Sequence, residues 1–210
     1  MDGYTIDSYK KIEQLLKRQL PGQKAQLRMA PTDRPSSQSN RQTRNAGVLL
    51  LLYERGGELH TILTRRAVYE GAHSGQVSLP GGKFEMGDRD LFHTALRETH
   101  EEIGVIPHDI RIIGKLTPLY IPVSNHMVQP VIGRLTIRPR FIPDDKEVTE
   151  IYEIRIADLL KPDCLITNEG IMENNRMINA PFYRYNGIQI WGATAMILSE
   201  FLELYSQSHP

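Results

Sequence analysis

Residues 80–105 read PGGKFEMGDRDLFHTALRETHEEIGV, the densest chemical signal in the chain. Phe92, Leu96 and Ile103 share one helical stripe, with Thr99 in the same row, so the spacing predicts a helix over residues 90–103. Gly104 supplies the stop. Glu98, Glu101 and Glu102 fall at i, i+3 and i+4, which at about 100° per residue is one narrow face. Three like charges there oppose a helix unless something compensates them. A bound divalent cation would do so, and oxygen ligands suit Mg²⁺ or Mn²⁺. The plain alternative is a solvated acidic face screened by Arg97 and His100. Gly81 and Gly82 just upstream favour the first reading, because adjacent glycines let backbone approach a metal or a phosphate closely.

Strands surround this segment. Residues 48–53 form a short apolar run and residues 60–64 a second, joined by the turn chemistry of Arg55-Gly56-Gly57-Glu58. Residues 76–79 are β-compatible, and Pro80-Gly81-Gly82 is expected to end that strand. Downstream, residues 110–116, 128–135 and 148–156 carry β-branched side chains. Residues 157–160 suit a helical turn. Residues 181–185 and 188–191 read as a hairpin across Asn186-Gly187, and residues 193–205 as a closing helix. Ahead of all this, Ile12, Leu15, Leu16 and Leu20 predict a helix over residues 8–20, ended by Pro21 and Gly22. Residues 31–45 are polar and read as a long exposed loop. The order is mixed α/β with a sheet as its core. We divide the chain into an N-terminal helix and polar loop, 1–45, and a main domain, 46–210.

The 210 residues carry 25 Lys plus Arg against 25 Asp plus Glu. That balance argues against generic nucleic-acid binding, which wants a basic excess. Cys164 is the sole cysteine, so neither an intrachain disulfide nor a cysteine-rich zinc site can form. The N-terminus is too polar for a signal peptide, and no apolar run approaches a bilayer span. A soluble, cytoplasmic protein with no membrane partner is expected.

The segment 82–105 resembles the Nudix box, G-x5-E-x7-R-E-U-x-E-E-x-G-U with U apolar. Gly82, Arg97-Glu98, Glu101-Glu102 and Gly104-Val105 match its fixed positions. It departs in three ways. Asp88 replaces the first Glu, one extra residue separates it from Arg97, and Thr99 stands at an apolar position. The extra residue is similar to a subgroup that cleaves coenzyme A. That subgroup carries an upstream signature, L-L-T-x-R-S-x3-R-x3-G-x3-F-P-G-G. Thr64, Arg66, Gly75 and Pro80-Gly81-Gly82 fall in its register, while Ala67, Gly71 and Leu79 replace its Ser, second Arg and Phe. Pro122-Val123-Ser124 and residues 191–195 are similar to later subgroup segments.

The resemblance implies a Nudix-type α/β/α sandwich with a mixed sheet. It implies hydrolysis of a pyrophosphate bond by an enzyme using Mg²⁺ or Mn²⁺ on Glu98, Glu101, Glu102 and the Gly82 carbonyl. Catalytic roles are expected for Glu98, Arg97 and a downstream glutamate, with Glu147 preferred to Glu150. Asp88 is the expected loop partner of Arg97. Arg66, His73 and Gly81 are candidates to hold substrate phosphate, with Arg65 pointing the other way on its strand. Trp191 suits core packing or stacking on a base, and Cys164 a small buried residue. Coenzyme A or its acyl derivatives lead as substrate. ADP-ribose, reduced NAD or another nucleoside diphosphate derivative comes second, kept open by Gly71. A module that senses a nucleotide without cleaving it comes third. The expected partner is a small nucleotide, and a homodimer is allowed.

Overall fold

The computed structural model describes residues 3–35, 38–68, 73–167, 169–173 and 176–208. Gly71, on which the second substrate reading turned, lies outside them. Two helices open the chain, α1 (Gly3–Leu16) and α2 (Gly22–Leu27). The strands β1 (Arg44–Arg55), β2 (Glu58–Arg66), β3 (Val77–Ser78) and β4 (Gly81–Lys83) lead into α3 (Leu91–Ile103). Then come β5 (Arg111–Lys115), β6 (Leu119–Ile121), a 3₁₀ turn Pro122–Ser124, β7 (His126–Arg134), β8 (Val148–Arg155) and α4 (Ile156–Leu159). Short strands β9 (Leu165–Ile166), β10 (Ile171–Glu173), β11 (Arg176–Ile178), β12 (Phe182–Tyr185) and β13 (Ile188–Trp191) precede α5 (Gly192–Ser208).

The main sheet runs β3-β2-β1-β7-β5, with β4 on β1, β6 on β7 and β8 on β2. β1 is its spine: parallel to β7 over residues 44–52, antiparallel to β4 over 46–48 and to β2 over 53–55. Its side chains alternate between two cores, as strand pleating requires. Leu49, Leu51 and Tyr53 pack with Ala95 and Ile103 of α3. Leu50 and Leu52 pack with Ala195, Leu198 and Phe201 of α5 and with Tyr9 and Ile12 of α1. All five of those β1 residues are fully buried, so truncating one leucine to alanine costs about 2–5 kcal/mol. The result is the expected sandwich: a mixed sheet between α3 on one face and α5 with α1 on the other. Both turns read from the sequence form. Gly56 and Gly57, and Asn186 and Gly187, have the positive φ that two-residue hairpins need.

Several expectations are corrected. The first helix runs from Gly3 to Leu16, not over residues 8–20, and α2 follows Pro21. Pro80-Gly81-Gly82 does not simply end a strand: Gly81–Lys83 is itself β4, made by pairing with β1. The polar stretch 31–45 is anchored at both ends. Thr32 N–H donates to the Asn179 carbonyl at 2.9 Å, and Arg44 and Asn45 belong to β1. Helix α2 is stapled to the main body by Glu200 of α5, which is fully buried. Its carboxylate accepts from Gly22 N–H (3.2 Å), Gln26 Nε2 (2.8 Å) and the Thr117 hydroxyl (2.6 Å). Among the described residues, no helix is long and apolar enough to cross a membrane.

Candidate active site

The site grows from α3 and the loop before it. Asp90 caps the helix by accepting from His93 N–H at 2.8 Å, and Gly104 closes it with φ 71°. Two residues earlier, Asp88 is almost wholly buried and is the hub of the loop. It accepts from Arg97 Nε (2.9 Å) and Nη2 (3.0 Å), the Thr94 hydroxyl (2.9 Å) and Glu85 N–H (3.0 Å), and His93 Nδ1 lies 2.9 Å away. The Arg97 guanidinium, more than any other contact, holds the Asp88 carboxyl well below the usual carboxylate range. The shorter acid and the extra residue therefore still close the expected bridge to Arg97. Arg97 also donates to the Lys83 carbonyl (3.1 Å) and meets Glu98 (3.0 Å) and Glu101 (2.9 Å).

The three box glutamates take different positions. Glu101 is exposed and paired with Arg97. Glu98 is half-buried, and its carboxylate lies so close to β4 that a Cβ at Gly82 would overlap it. Burial raises the Glu98 pKa, against the pull of Arg97. Glu102 is 2% exposed, and burial pushes its pKa up to about 8. Its nearest cation, Arg66 Nη1, stands 3.6 Å away. Glu102 Oε2 and Arg66 Nε are both buried without a hydrogen-bond partner. Gly82 thus admits the Glu98 carboxylate to the strand. Among the described residues, no three His, Cys, Asp or Glu side chains converge as a ready-made metal cluster. On the face drawn by helical spacing, Arg97 Nη1 bridges Glu98 and Glu101, while Glu102 is buried beside Arg66. The chemistry of Glu98 and Glu102 nevertheless fits a hard divalent cation: two oxygen donors in a low-dielectric setting, one oxygen unsatisfied.

Glu147 lies in the turn before β8, exposed, with its carbonyl accepting from Ala67 N–H at 2.8 Å. Its charge acts on both Glu98 and Glu102. Glu150 instead bonds the Tyr152 hydroxyl and sits 3.6 Å from Arg65 Nε. The opposite facing of Arg65 and Arg66 follows from strand alternation, as expected.

A cavity of about 540 Å³ opens beside β4. Gly81, Gly82, Arg66 and His73 line it, which gathers the sequence candidates for substrate contact on one wall. His73 adopts φ 68° and its Nδ1 lies 3.0 Å from Gln76 Oε1. Trp191 lines the same cavity, so it has a free edge as well as a packed one. The sequence reading missed Arg44, Lys83 and His126, which also line it. They come from three separate strands, and only the register of the sheet brings them together. Cys164 is buried, its thiol donates to the Arg184 carbonyl (3.1 Å), and burial pushes its pKa up to about 11. It is packing, not a nucleophile.

Comparison with known proteins agrees. The family described as NUDIX domain matches residues 43–169. The chain is similar to an uncharacterized Nudix hydrolase, NudL, of Pectobacterium atrosepticum: 37% identical over 177 residues, covering 83% of this chain and 88% of that protein. It is also similar to the mitochondrial Nudix hydrolase 15 of Arabidopsis thaliana, 37% identical over 163 residues, covering 74% of this chain and 56% of that protein. Among solved structures, the Nudix hydrolase RenU of M. smegmatis superposes with a TM-score of 0.51 at 16% identity, covering 87% of this chain and 95% of that one. That likeness speaks to the fold alone. The chain belongs to the Nudix family and is a hydrolase acting on the pyrophosphate bonds of nucleoside diphosphate derivatives.

Proposed function

We propose that the substrate is coenzyme A or an acyl-coenzyme A, cleaved to adenosine 3′,5′-bisphosphate and 4′-phosphopantetheine or its acyl form. The observation that carries this reading is the join between the upstream signature and the box. Arg66 reaches Glu102, and Thr64 of the same strand lies against residues 73–79, its hydroxyl 3.5 Å from the Ser78 carbonyl. Gly75 is tied to Ala67, and Pro80 leads straight into β4. The signature residues therefore support one cavity wall.

In this reading Glu98, Glu102, Glu101 and the Gly82 carbonyl hold the metal. When bound, Mg²⁺ or Mn²⁺ neutralises diphosphate charge and makes an attacking water more acidic. Glu147 is the general base: it is exposed, unlike Glu102, and close enough for its charge to act on Glu98 and Glu102. The Arg97 nitrogens already have partners, so Arg97 acts by positioning Glu98 and Glu101. Arg66, His73 and the Gly81 backbone contact substrate phosphate. The lone reduced Cys164 suits a cytoplasmic setting.

The test is product chromatography on purified protein with Mg²⁺ or Mn²⁺ and a chelator control. The panel is coenzyme A, acetyl-coenzyme A, ADP-ribose and reduced NAD. Metal-dependent preference for coenzyme A is expected, with Gly71 then a tolerated departure. Preference for ADP-ribose or reduced NAD would replace the substrate reading and keep the hydrolytic one.

A further inference from the structure

The cavity has two cationic ends. At one, Arg66 faces Glu102 beside Gly81 and Gly82. The other end is built by the sheet. Arg44 opens β1 and lies opposite His126 of β7, while Ala46, two residues on, lies opposite Lys83 of β4. Residues directly opposite, or two apart along a strand, share a sheet face. Arg44, Lys83 and His126 therefore project into the same space, with β4 and β7 about two strand spacings, roughly 10 Å, apart. Ala46, Val48 and Val128 form an apolar floor between them.

Among the described residues, no Asp or Glu lines this cavity. The His126 ring bonds the Ser124 backbone, and its Nε2 is buried without a hydrogen-bond partner. Burial first, and then the charges of Arg44, Lys83 and His73, hold the ring below its usual range. Two cations, Arg44 and Lys83, stand side by side here, and a bound anion would offset their repulsion and favour the protonated ring, whose Nε2–H could then donate to it. Arg66 is already opposed by a carboxylate; among the described residues this end has no such counter-charge.

We infer that Arg44, Lys83 and His126 form an anion subsite that recognises a phosphomonoester separate from the scissile diphosphate. The inference rests on the coenzyme A reading and deepens it, because that substrate class carries a ribose phosphate. A dianionic phosphate matches the arrangement in charge and shape. The Arg44 guanidinium offers a planar fork, Lys83 a point charge and His126 a third nitrogen. Such a subsite selects phosphorylated nucleotides over their dephospho forms and leaves the diphosphate to the Arg66 end.

The test compares coenzyme A with 3′-dephospho-coenzyme A in the wild type and in Arg44→Gln/Lys83→Gln. Both residues are exposed, so the variant is expected to fold, and its melting temperature checks this. The wild type is expected to favour coenzyme A in kcat/KM by at least about tenfold, the worth of a charge-assisted hydrogen bond. In the variant the ratio should collapse towards one. A second arm measures metal-free binding of adenosine 3′,5′-bisphosphate and of AMP by calorimetry. The bisphosphate should bind the wild type more tightly, and the variant should lose that advantage. Equal turnover of the two substrates by the wild type would overturn the subsite and leave the coenzyme A reading standing. Equal loss on both substrates in the variant would also overturn it, since the cations would then serve the diphosphate. If coenzyme A is not cleaved at all, the substrate reading fails. The binding arm then decides, with equal affinity for the two nucleotides sinking the subsite.

Discussion

Asp88 and Glu102 are both buried carboxylates facing an arginine, within one loop–helix unit, and their electrostatics are opposite. Asp88 has contacts at 2.9–3.0 Å from Arg97, Thr94, His93 and the Glu85 backbone, and its pKa falls. Glu102 has one cation at 3.6 Å and an oxygen with no partner, and its pKa rises to about 8. Burial is shared; hydrogen bonding differs. A satisfied buried charge locks a shape, whereas an unsatisfied buried carboxyl costs stability and marks a place where function rather than folding keeps the residue.

The sharpest break of that contrast is Glu102→Gln. Turnover should fall by at least roughly 10–100-fold, the cost of losing even an outer partner of a metal site. The melting temperature should hold at neutral pH, because burial, which pushes the Glu102 pKa up to about 8, already favours the neutral carboxyl that Gln mimics. A large loss of stability would make Glu102 structural and erase the distinction. Asp88→Ala should do the reverse in denaturant titration, losing about 1–3 kcal/mol as Arg97, Thr94 and the Glu85 N–H lose a shared acceptor, while Arg97 keeps Glu98 and Glu101. Mg²⁺ or Mn²⁺ comes next. At a hundredfold excess over Kd it should stabilise the wild type by about 2.7 kcal/mol and stabilise Glu102→Gln much less. An equal shift in both proteins would put the metal elsewhere. Acid sharpens the other side. The folded pKa of Asp88 lies below its unfolded one, so its contribution is complete above about pH 4 and disappears as pH falls through the folded value. Asp88→Asn should therefore flatten that acid limb of the stability profile. The smallest effect is expected at Cys164. It should resist alkylation in the native state, and Cys164→Ala should leave kcat/KM near that of the wild type.

Local chemistry was readable in the sequence and long-range pairing was not. Gly104, Gly56-Gly57 and Asn186-Gly187 each announce an element through a cap or a turn within a few residues, and each is where expected. β4 escaped because Gly81 and Gly82 have poor strand propensity; β1 makes them a strand. α2 is only six residues long and is held by Glu200, 174 positions beyond Gln26. The helical face of Glu98, Glu101 and Glu102 was read correctly as geometry. The screening of the cluster by Arg97, read as the plain alternative, is seen at Glu101, while the burial of Glu102 was not read. Arg44, Lys83 and His126 share no spacing that any local pattern detects.

The Glu200 staple bears on how the protein can be cut. The family match covers residues 43–169, and a fragment trimmed to those borders would omit α1, α2 and α5. That strips α1, α2 and α5 from one face of the sheet and uncovers Leu50, Leu52 and Ile132. A cut that spared α5 but removed residues 1–43 would leave the Glu200 carboxylate without Gly22 and Gln26. The borders of shared ancestry and the borders of the folding unit are therefore different, and expression fragments should follow the second.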